Sequence, residues 1–294
     1  MGTSEVLNYV VNRAAIRSRL GRLTPIKHFR SRAAEARRHA FRPEAPSGSV
    51  PELISSAVMA AGVCLLPEIF QLGEAVAATI GDLVAKGTEA WDWGVGRDLL
   101  ESDAILAQHP AVYRLGFEPT LMDAAENYLS EPCFYMGCSL KRERVDSSNA
   151  GPRQWHRDIE DDRLFRVIFY LNAVEFGGGP FEYIEAERSR FALDQLRYRS
   201  GYVSDFAMRA VVPEDRWSSV RGAAGSMIAF DGTRVFHRVC RPTVSDRFSL
   251  SITYSSRHPL QILRQVRLRT ATRRKLIGSL TERQRACLPA ARWS

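Results

Sequence analysis

The sequence lacks the cysteine pattern of a disulfide-stabilised or zinc-binding protein. Its five cysteines are odd in number and irregularly spaced, and no CxxC motif occurs. This usage is typical of proteins in a reducing compartment, so we expect a cytoplasmic protein whose cysteines are small buried hydrophobic residues. The five are Cys64, Cys133, Cys138, Cys240 and Cys287.

Long hydrophobic runs are also missing. The longest, AVMAAGVCLLPEIF at 57–70, is shorter than the roughly 20 residues that span a bilayer, and it contains Pro67. The first residues combine charges with a helical spacing of apolar side chains, unlike the apolar core of a signal peptide. We therefore expect no transmembrane segment. A chain of 294 residues that is 45% hydrophobic can bury a large core, which excludes a wholly disordered protein.

The excess positive charge is confined to the two ends. Residues 1–45 contain ten Lys and Arg against three acids, and residues 261–294 contain nine against one. Residues 46–260 contain 22 basic and 29 acidic residues, so the net charge of +8 comes from the ends. No nucleic-acid-binding motif accompanies them, which disfavours nucleic acid as a partner. Solvated helix faces are the simplest interpretation, and peripheral contact with an anionic membrane or polyanion is the alternative.

The pattern along the chain predicts helices, then strands, then helices. Helical spacing at 4–20 and 27–41 precedes RPEAPSGSVPE at 42–52, which is typical of a linker. After residue 133, short aromatic and β-branched segments alternate with Gly, Pro and Asp. Helical patterning resumes at 260–280, and TERQ at 281–284 is a capping-box sequence. Such a run of short strands predicts a mainly β fold with flanking helices, closed into a sandwich or barrel.

These features divide the chain into three predicted parts. Residues 1–52 form a basic helical extension and linker, residues 53–258 a folded domain, and residues 259–294 a second basic helical extension. We expect the chemistry of the protein to reside in the central part, because the candidate site residues all lie there.

The motif WHRD places two metal-type ligands just before the buried strand RLFRVIFYLN. Side chains alternate along a strand, so Gln154, His156 and Asp158 would share one face. An HxD motif alone is weak evidence, but His237 offers a third ligand where GSMIAFDGTRVFH enters a new strand. Two His and one carboxylate with open positions are the ligands of non-haem Fe(II) oxygenases. The acids at 160–162 are interpreted as a solvated turn rather than a second metal site.

The strand RFSLSITY at 247–254 alternates a polar face with an apolar one. Its polar face begins at Arg247, ten residues beyond His237, and includes Ser249. The planar guanidinium of arginine pairs with a carboxylate through two hydrogen bonds. This face is therefore predicted to form a pocket wall that binds an acid, and a half-exposed strand is the alternative.

The combination of WHRD, GPFEYI, GSMIAFDGTRVFH and DRFSLS resembles the Fe(II)/2-oxoglutarate oxygenases, specifically the phytanoyl-CoA dioxygenase-like family. The resemblance covers roughly residues 60–258. It implies a double-stranded β-helix, that is, a cupin-like jelly-roll core, at about 133–258 with helices packed against it. One departure lies at IEAERSR (184–190), where the family often has PGSHR in a loop near the substrate entrance. The acyl-CoA substrate of the family name is therefore not implied.

The resemblance implies that His156, Asp158 and His237 hold Fe(II) and act in catalysis, with 2-oxoglutarate and O2 as cosubstrates. The default reaction is hydroxylation of an unactivated C–H bond of a small metabolite or natural-product intermediate, with release of succinate and CO2. Desaturation, epoxidation or ring formation are other outcomes, and halogenation is disfavoured because Asp158 is present. Two alternatives stay open: the same chemistry on a lipid-linked or macromolecular substrate recruited by the basic ends, and a non-catalytic binding protein on a lapsed oxygenase fold.

The resemblance also implies the residues around the cosubstrate. Arg247 would bind the distal carboxylate of 2-oxoglutarate, with Ser249 as a helper. Tyr170 matches a position that can line the 2-oxoglutarate pocket, and core packing is its alternative role. Gln154 would reach cosubstrate or substrate, on periodicity alone.

Overall fold

The computed structural model describes residues 24–42, 45–145, 151–260 and 267–289. The helix expected at 4–20 and residues 261–266 of the predicted C-terminal helical stretch lie outside these ranges. The helices are α1 (Thr24–Ala40), α2 (Val50–Ala61), α3 (Glu74–Lys86), α4 (Ser102–Gln108), α5 (Pro110–Arg114), α6 (Pro119–Leu129), α7 (Ala186–Gln195), α8 (Asp205–Arg209), α9 (Thr270–Ile277) and α10 (Glu282–Cys287). The strands are β1 (Val63–Leu66), β2 (Leu99–Glu101), β3 (Cys133–Glu143), β4 (Leu164–Tyr170), β5 (Phe181–Ile184), β6 (Ser218–Val220), β7 (Met227–Phe230), β8 (Phe236–Val239) and β9 (Arg247–Ser256).

These strands form two antiparallel sheets. The larger has six strands in the order β1-β7-β4-β9-β3-β2, and the smaller has three in the order β6-β5-β8. Strand β3 shifts register between Tyr135 and Cys138, where Gly137 adopts a φ of 94° that glycine tolerates without strain. The predicted combination of antiparallel strands and flanking helices is therefore confirmed.

Strand β4 shows how alternation assigns the two faces of the larger sheet. Phe165 and Val167 are fully buried in the main core, which also contains the apolar faces of the helices. Ile168 and Tyr170 point the other way and pack with Phe181 of the smaller sheet. One face of the larger sheet thus packs against helices, and the other faces the smaller sheet.

Helices that precede the strand-rich region and helices that follow it both pack on the main core. Helix α6 has Pro119 in its first turn and buries residues at helical spacing, including Met122 and Leu129. Leu276 and Leu288 of the C-terminal segment belong to the same core. The capping box predicted at 281–284 is confirmed, with side-chain and backbone bonds exchanged between the first and last of these residues.

Two interpretations of short segments are wrong. Helix α2 begins at Val50 and buries Ile54, so the linker predicted at 42–52 ends in ordered helix. The segment 184–190, expected as a loop, mostly belongs to α7, because Ser189 and Ala192 give it an inner face to bury. The divisions at residues 52 and 258 stay predictions. No helix in the described ranges is both long and apolar enough to cross a membrane.

Candidate metal centre

The HxD motif lies on an extended segment rather than on the regular strand that its sequence predicts. Trp155 exchanges backbone hydrogen bonds with Val203, and His156 exchanges them with His237, at 2.8–3.1 Å. The Asp158 amide then donates to the carbonyl of Gly232 at 2.8 Å. These bonds fix the motif directly against the turn and strand that carry the third histidine.

The structure brings the three predicted ligands together. One ligand atom from each of His156, Asp158 and His237 lies within 4.8 Å of the others. Nε2 of His237 is 3.8 Å from Oδ1 of Asp158, and the two imidazole centroids are 4.3 Å apart. His237 is only 5% exposed. Three donors that sequence places up to 81 positions apart therefore converge on one point.

Backbone carbonyls orient both imidazole rings. Nδ1 of His156 is 2.9 Å from the carbonyl oxygen of Gln154, and Nδ1 of His237 is 3.2 Å from that of Val235. A carbonyl can only accept, so each Nδ1 carries the proton and each Nε2 keeps its lone pair. Burial lowers the pKa of His156. The pKa of His237 is lowered further, chiefly by burial and secondly by electrostatic repulsion from His156. Both rings are therefore neutral near pH 7, the state in which histidine binds metal.

Two residues that sequence analysis missed confine the carboxylate of Asp158. Nε of Arg166 lies 2.8 Å from Oδ2, and a Cβ at Gly232 would lie 1.9 Å from the same oxygen. The DG pair in GSMIAFDGTRVFH is the only sequence signal for this close approach. Asp231 holds the turn, since it accepts bonds from the Tyr128 hydroxyl and from backbone amides.

A cavity of about 460 Å³ opens beside the three ligands, between the two sheets. The polar face predicted for β9 forms one wall, because all four of its alternating residues line the cavity. On the neighbouring strand β3, Ser139 and Lys141 line it as well, paired in register with Ser251 and Ser249. The position of Lys141 in the cavity wall could not be predicted from the sequence, because it depends on how β3 pairs with a strand more than 100 residues later. The β9 residues are Arg247, Ser249, Ser251 and Thr253.

Arg247 lies in a buried, cation-rich part of this wall. It is 2% exposed, donates to the carbonyl of Gly179 at 2.9 Å, and keeps its Nε without a hydrogen-bond partner among the described residues. Its cross-strand neighbour Glu143 is fully buried and ion-paired with Lys141 and Arg153. Burial would raise the pKa of Glu143, but Lys141, Arg247 and Arg153 lower it below its usual range. The positive charges of Lys141, Arg153 and Arg247 thus lie around the single carboxylate of Glu143. These charges would attract an anion bound in this part of the cavity.

The remaining candidates take different positions. The Tyr170 hydroxyl donates to the Val220 carbonyl and accepts from the Phe181 amide, and the Arg247 guanidinium lies 5.9 Å from its ring. Tyr170 therefore supports Arg247 from behind the cavity wall. Gln154 is not among the described cavity-lining residues, although its backbone carbonyl contacts His156, and its contact with cosubstrate or substrate stays a prediction.

The acidic turn at 160–162 is not the solvated turn that sequence analysis predicted. Asp161 is 5% exposed and accepts the Ser256 amide at 2.8 Å, and burial raises its pKa to about 6. Glu160 lines the cavity and lies 3.4 Å from Arg166. The mouth also contains Tyr202, whose ring is 5.5 Å from that of His156.

The donor set fits a divalent metal ion. Two neutral imidazoles and one carboxylate on one side of an open cavity match the 2-His-1-carboxylate arrangement, which suits Fe(II) and leaves coordination positions free. A site of this kind can bind a chelating cosubstrate and a second small molecule side by side.

Comparison with known proteins finds solved structures that share the overall fold of this chain. No protein-family model matches the sequence, and no curated protein is similar to it, so the phytanoyl-CoA dioxygenase-like assignment stays a prediction. Among solved structures, EctD from S. alaskensis with 2-oxoglutarate and 5-hydroxyectoine is 18% identical, with a TM-score of 0.52 over 74% of this chain and 83% of that one. EctD with bound Fe is 17% identical, with a TM-score of 0.50 over 74% and 81%. The chain therefore shares the overall fold of EctD.

Proposed function

We propose that this protein is a non-haem iron oxygenase that uses Fe(II), 2-oxoglutarate and O2 to hydroxylate a C–H bond of a small molecule. The observation that carries the proposal is the convergence of His156, Asp158 and His237 on one cavity that has a buried arginine in its wall. The shared fold supports it, because EctD structures contain Fe and 2-oxoglutarate. The two facing antiparallel sheets are the basis for proposing a double-stranded β-helix core.

In this proposal His156, Asp158 and His237 hold the iron through their cavity-facing atoms. Bound iron supplies the oxygen-activating chemistry, and 2-oxoglutarate supplies two electrons as it becomes succinate and CO2. The chain itself keeps both histidines neutral, orients them through the carbonyls of Gln154 and Val235, and shields the site from bulk water.

The polar wall receives the far carboxylate of 2-oxoglutarate. Arg247 offers its buried Nε, which has no hydrogen-bond partner within the part of the chain that the structure describes, and Ser249 lies two residues along the same face. Lys141 is opposite Ser249 in register, so a second cation faces the same region. A carboxylate here would place a second negative charge beside Glu143, next to the cations Lys141 and Arg247.

Cavity size favours a small substrate. A volume of about 460 Å³ lies in the range of small-molecule sites and would hold 2-oxoglutarate together with a compact metabolite. Tyr202 and Ile159 offer apolar surface at the mouth. We propose hydroxylation as the default outcome, without assigning the substrate.

The test combines binding and turnover. Adding Fe(II) and 2-oxoglutarate without oxygen should give a weak visible charge-transfer band, and oxygen should then release succinate. His156→Ala and Asp158→Ala should abolish both signals, because each removes a proposed ligand. A folded wild-type protein that shows neither signal would favour the non-catalytic binding protein. Wild-type turnover in Asp158→Ala would refute the metal assignment.

The basic ends support a second candidate, in which the substrate is lipid-linked or macromolecular. Arg267, Arg274, Lys275 and Arg285 are exposed on the C-terminal segment, and within the described residues none of them pairs with an acid. Sedimentation with anionic vesicles tests this. Wild type should sediment and an Arg274→Gln/Lys275→Gln double variant should sediment less, whereas equal binding to neutral vesicles would count against recruitment by charge.

A further inference from the structure

The two oxygens of Asp158 lie in different surroundings. Oδ1 is 3.8 Å from Nε2 of His237, on the side where the three donors converge. Oδ2 is 2.8 Å from Nε of Arg166, an ion pair that lacks the alignment of a linear hydrogen bond. The side chain of Asp158 is only 7% exposed, so water cannot easily replace either contact. The carboxylate therefore has one oxygen free for a metal and one already engaged.

Arg166 is itself held in place. It lies on β4 opposite Thr253 of β9, in the middle of the larger sheet. Nη2 of Arg166 is 3.4 Å from a carboxylate oxygen of Glu160, so a second acid holds the same guanidinium. The sheet fixes its backbone and Glu160 restrains its outer end, so the guanidinium cannot swing away with the carboxylate.

Gly232 also lies close to the same oxygen. A Cβ at this position would lie 1.9 Å from Oδ2 and 2.6 Å from Cγ of Asp158. The Gly232 carbonyl also accepts the Asp158 amide at 2.8 Å. The carboxylate therefore contacts both the tight backbone at Gly232 and the guanidinium of Arg166.

We propose that Arg166 is a positioning residue that restricts Asp158 to one donor oxygen for a bound metal. The inference rests on the proposed function, in which 2-oxoglutarate takes two coordination positions and O2 takes one. An unrestrained carboxylate can chelate through both oxygens and would occupy one of those three positions. Arg166 also places a positive charge near the metal, which weakens metal binding while keeping the positions open.

This role predicts opposite changes in two affinities. In Arg166→Met, the affinity for a divalent metal should be unchanged or tighter, because a neighbouring cation is gone. The affinity of the metal-loaded protein for 2-oxoglutarate should fall at least tenfold, because the second oxygen of Asp158 competes for a position. A merely structural role would lower both affinities together.

Mn(II) is the probe, because water-proton relaxation reports how many exchangeable waters the bound ion carries. Wild type should hold Mn(II) with about three open positions, and Arg166→Met should lower the relaxation enhancement by about one third. Arg166→Lys keeps the charge and should restore most of the wild-type enhancement. Arg163→Met is the matched control, since Arg163 contacts the Tyr128 carbonyl and does not line the cavity among the described residues.

The outcomes separate the two proposals. If wild type binds no Mn(II), or if His156→Ala binds it equally well, the proposed function is wrong and the positioning role falls with it. If wild type binds Mn(II) normally and Arg166→Met keeps wild-type relaxation and 2-oxoglutarate affinity, the positioning role alone is wrong. Joint loss of metal and 2-oxoglutarate in both Arg166 variants would also overturn it. Far-ultraviolet circular dichroism and melting of each variant establish that the fold is retained.

Discussion

Replacing Gly232 with alanine adds one methyl group at the most crowded point of the candidate site. The new Cβ would lie 1.9 Å from Oδ2 of Asp158, whereas real Cβ contacts essentially never fall below 3.0 Å. Gly232 does not have a positive φ, so alanine causes no backbone strain. The effect is therefore steric. It falls mainly on Asp158, and it also reaches His237, because the added Cβ would lie 3.0 Å from Cε1 of that ring.

The size of the displacement sets the expected loss. The carboxylate must retreat by at least about 1.1 Å, and Arg166 at 2.8 Å already blocks one direction. Metal–ligand distances tolerate only about 0.2 Å, so Asp158 would cease to coordinate in its present position. Loss of an outer contact already costs about 10–100-fold in metal affinity, and loss of a direct ligand should cost about 100-fold or more. That corresponds to at least about 2.7 kcal/mol of binding free energy.

Titration of metal-free protein with Mn(II), followed by the electron paramagnetic resonance of the unbound ion, measures this loss. Gly81→Ala is the matched control, because Gly81 lies inside α3 with nothing within 4 Å of its added methyl. It should keep wild-type metal affinity and stabilise the fold by about 0.5–1 kcal/mol. Wild-type Mn(II) affinity in Gly232→Ala would refute the assignment of Asp158 as a ligand.

Three further predictions follow from buried polar groups. Arg247→Ala should raise the Kd for 2-oxoglutarate by about 10-fold to 100-fold, because a charge-assisted contact contributes about 1.5–3 kcal/mol. Calorimetry on Mn(II)-loaded protein should show this change together with an unchanged Kd for the metal. An equal loss of metal affinity would contradict the assignment of Arg247 to 2-oxoglutarate. Tyr128→Phe removes the hydroxyl that donates to buried Asp231 and should lower the free energy of unfolding in urea by about 1–3 kcal/mol, so an unchanged midpoint argues against this bond. Burial raises the pKa of Asp161 from 3.8 to about 6, so the folded state favours the protonated acid. The contribution of this group to stability should therefore be full below pH 4. It should fall by about 3 kcal/mol as the pH rises through 6. Urea midpoints between pH 4 and 7 that have the same slope in wild type and Asp161→Asn would disprove that assignment.

The polar wall on β9 could be predicted because a strand has a period of two residues. Arg247 and Ser249 therefore fall on one face whatever the sheet does around them. Lys141 could not be placed in the same way, since its position depends on the register between β3 and β9. That register is set by long-range packing and by a bulge, neither of which leaves a local pattern.

The interpretation of the acidic turn at 160–162 was wrong for a physical reason. Three consecutive acids favour a solvated turn, but the amide of Ser256 at the end of β9 needs an acceptor and finds the buried Asp161. Gln154 was assigned to the cavity by alternation, which requires a continuous strand. The structure has isolated bridges at Trp155 and His156 instead of such a strand, so alternation does not decide where the side chain of Gln154 points, and its role stays a prediction.

The candidate metal centre lies between the two sheets, although His237 alone among its three ligands belongs to one of the named strands. His237 belongs to β8 of the smaller sheet, while Asp158 is tied through Arg166 to β4 of the larger one. An ion bound by His237 and Asp158 would therefore connect the two sheets, directly at β8 and through the Arg166 ion pair at β4. At 100 times its Kd, such an ion adds about 2.7 kcal/mol against unfolding by mass action. If that ion is iron, as we propose, iron starvation would lower the lifetime of the protein as well as its turnover, because the ion-free fold would unfold more often and be exposed to proteases.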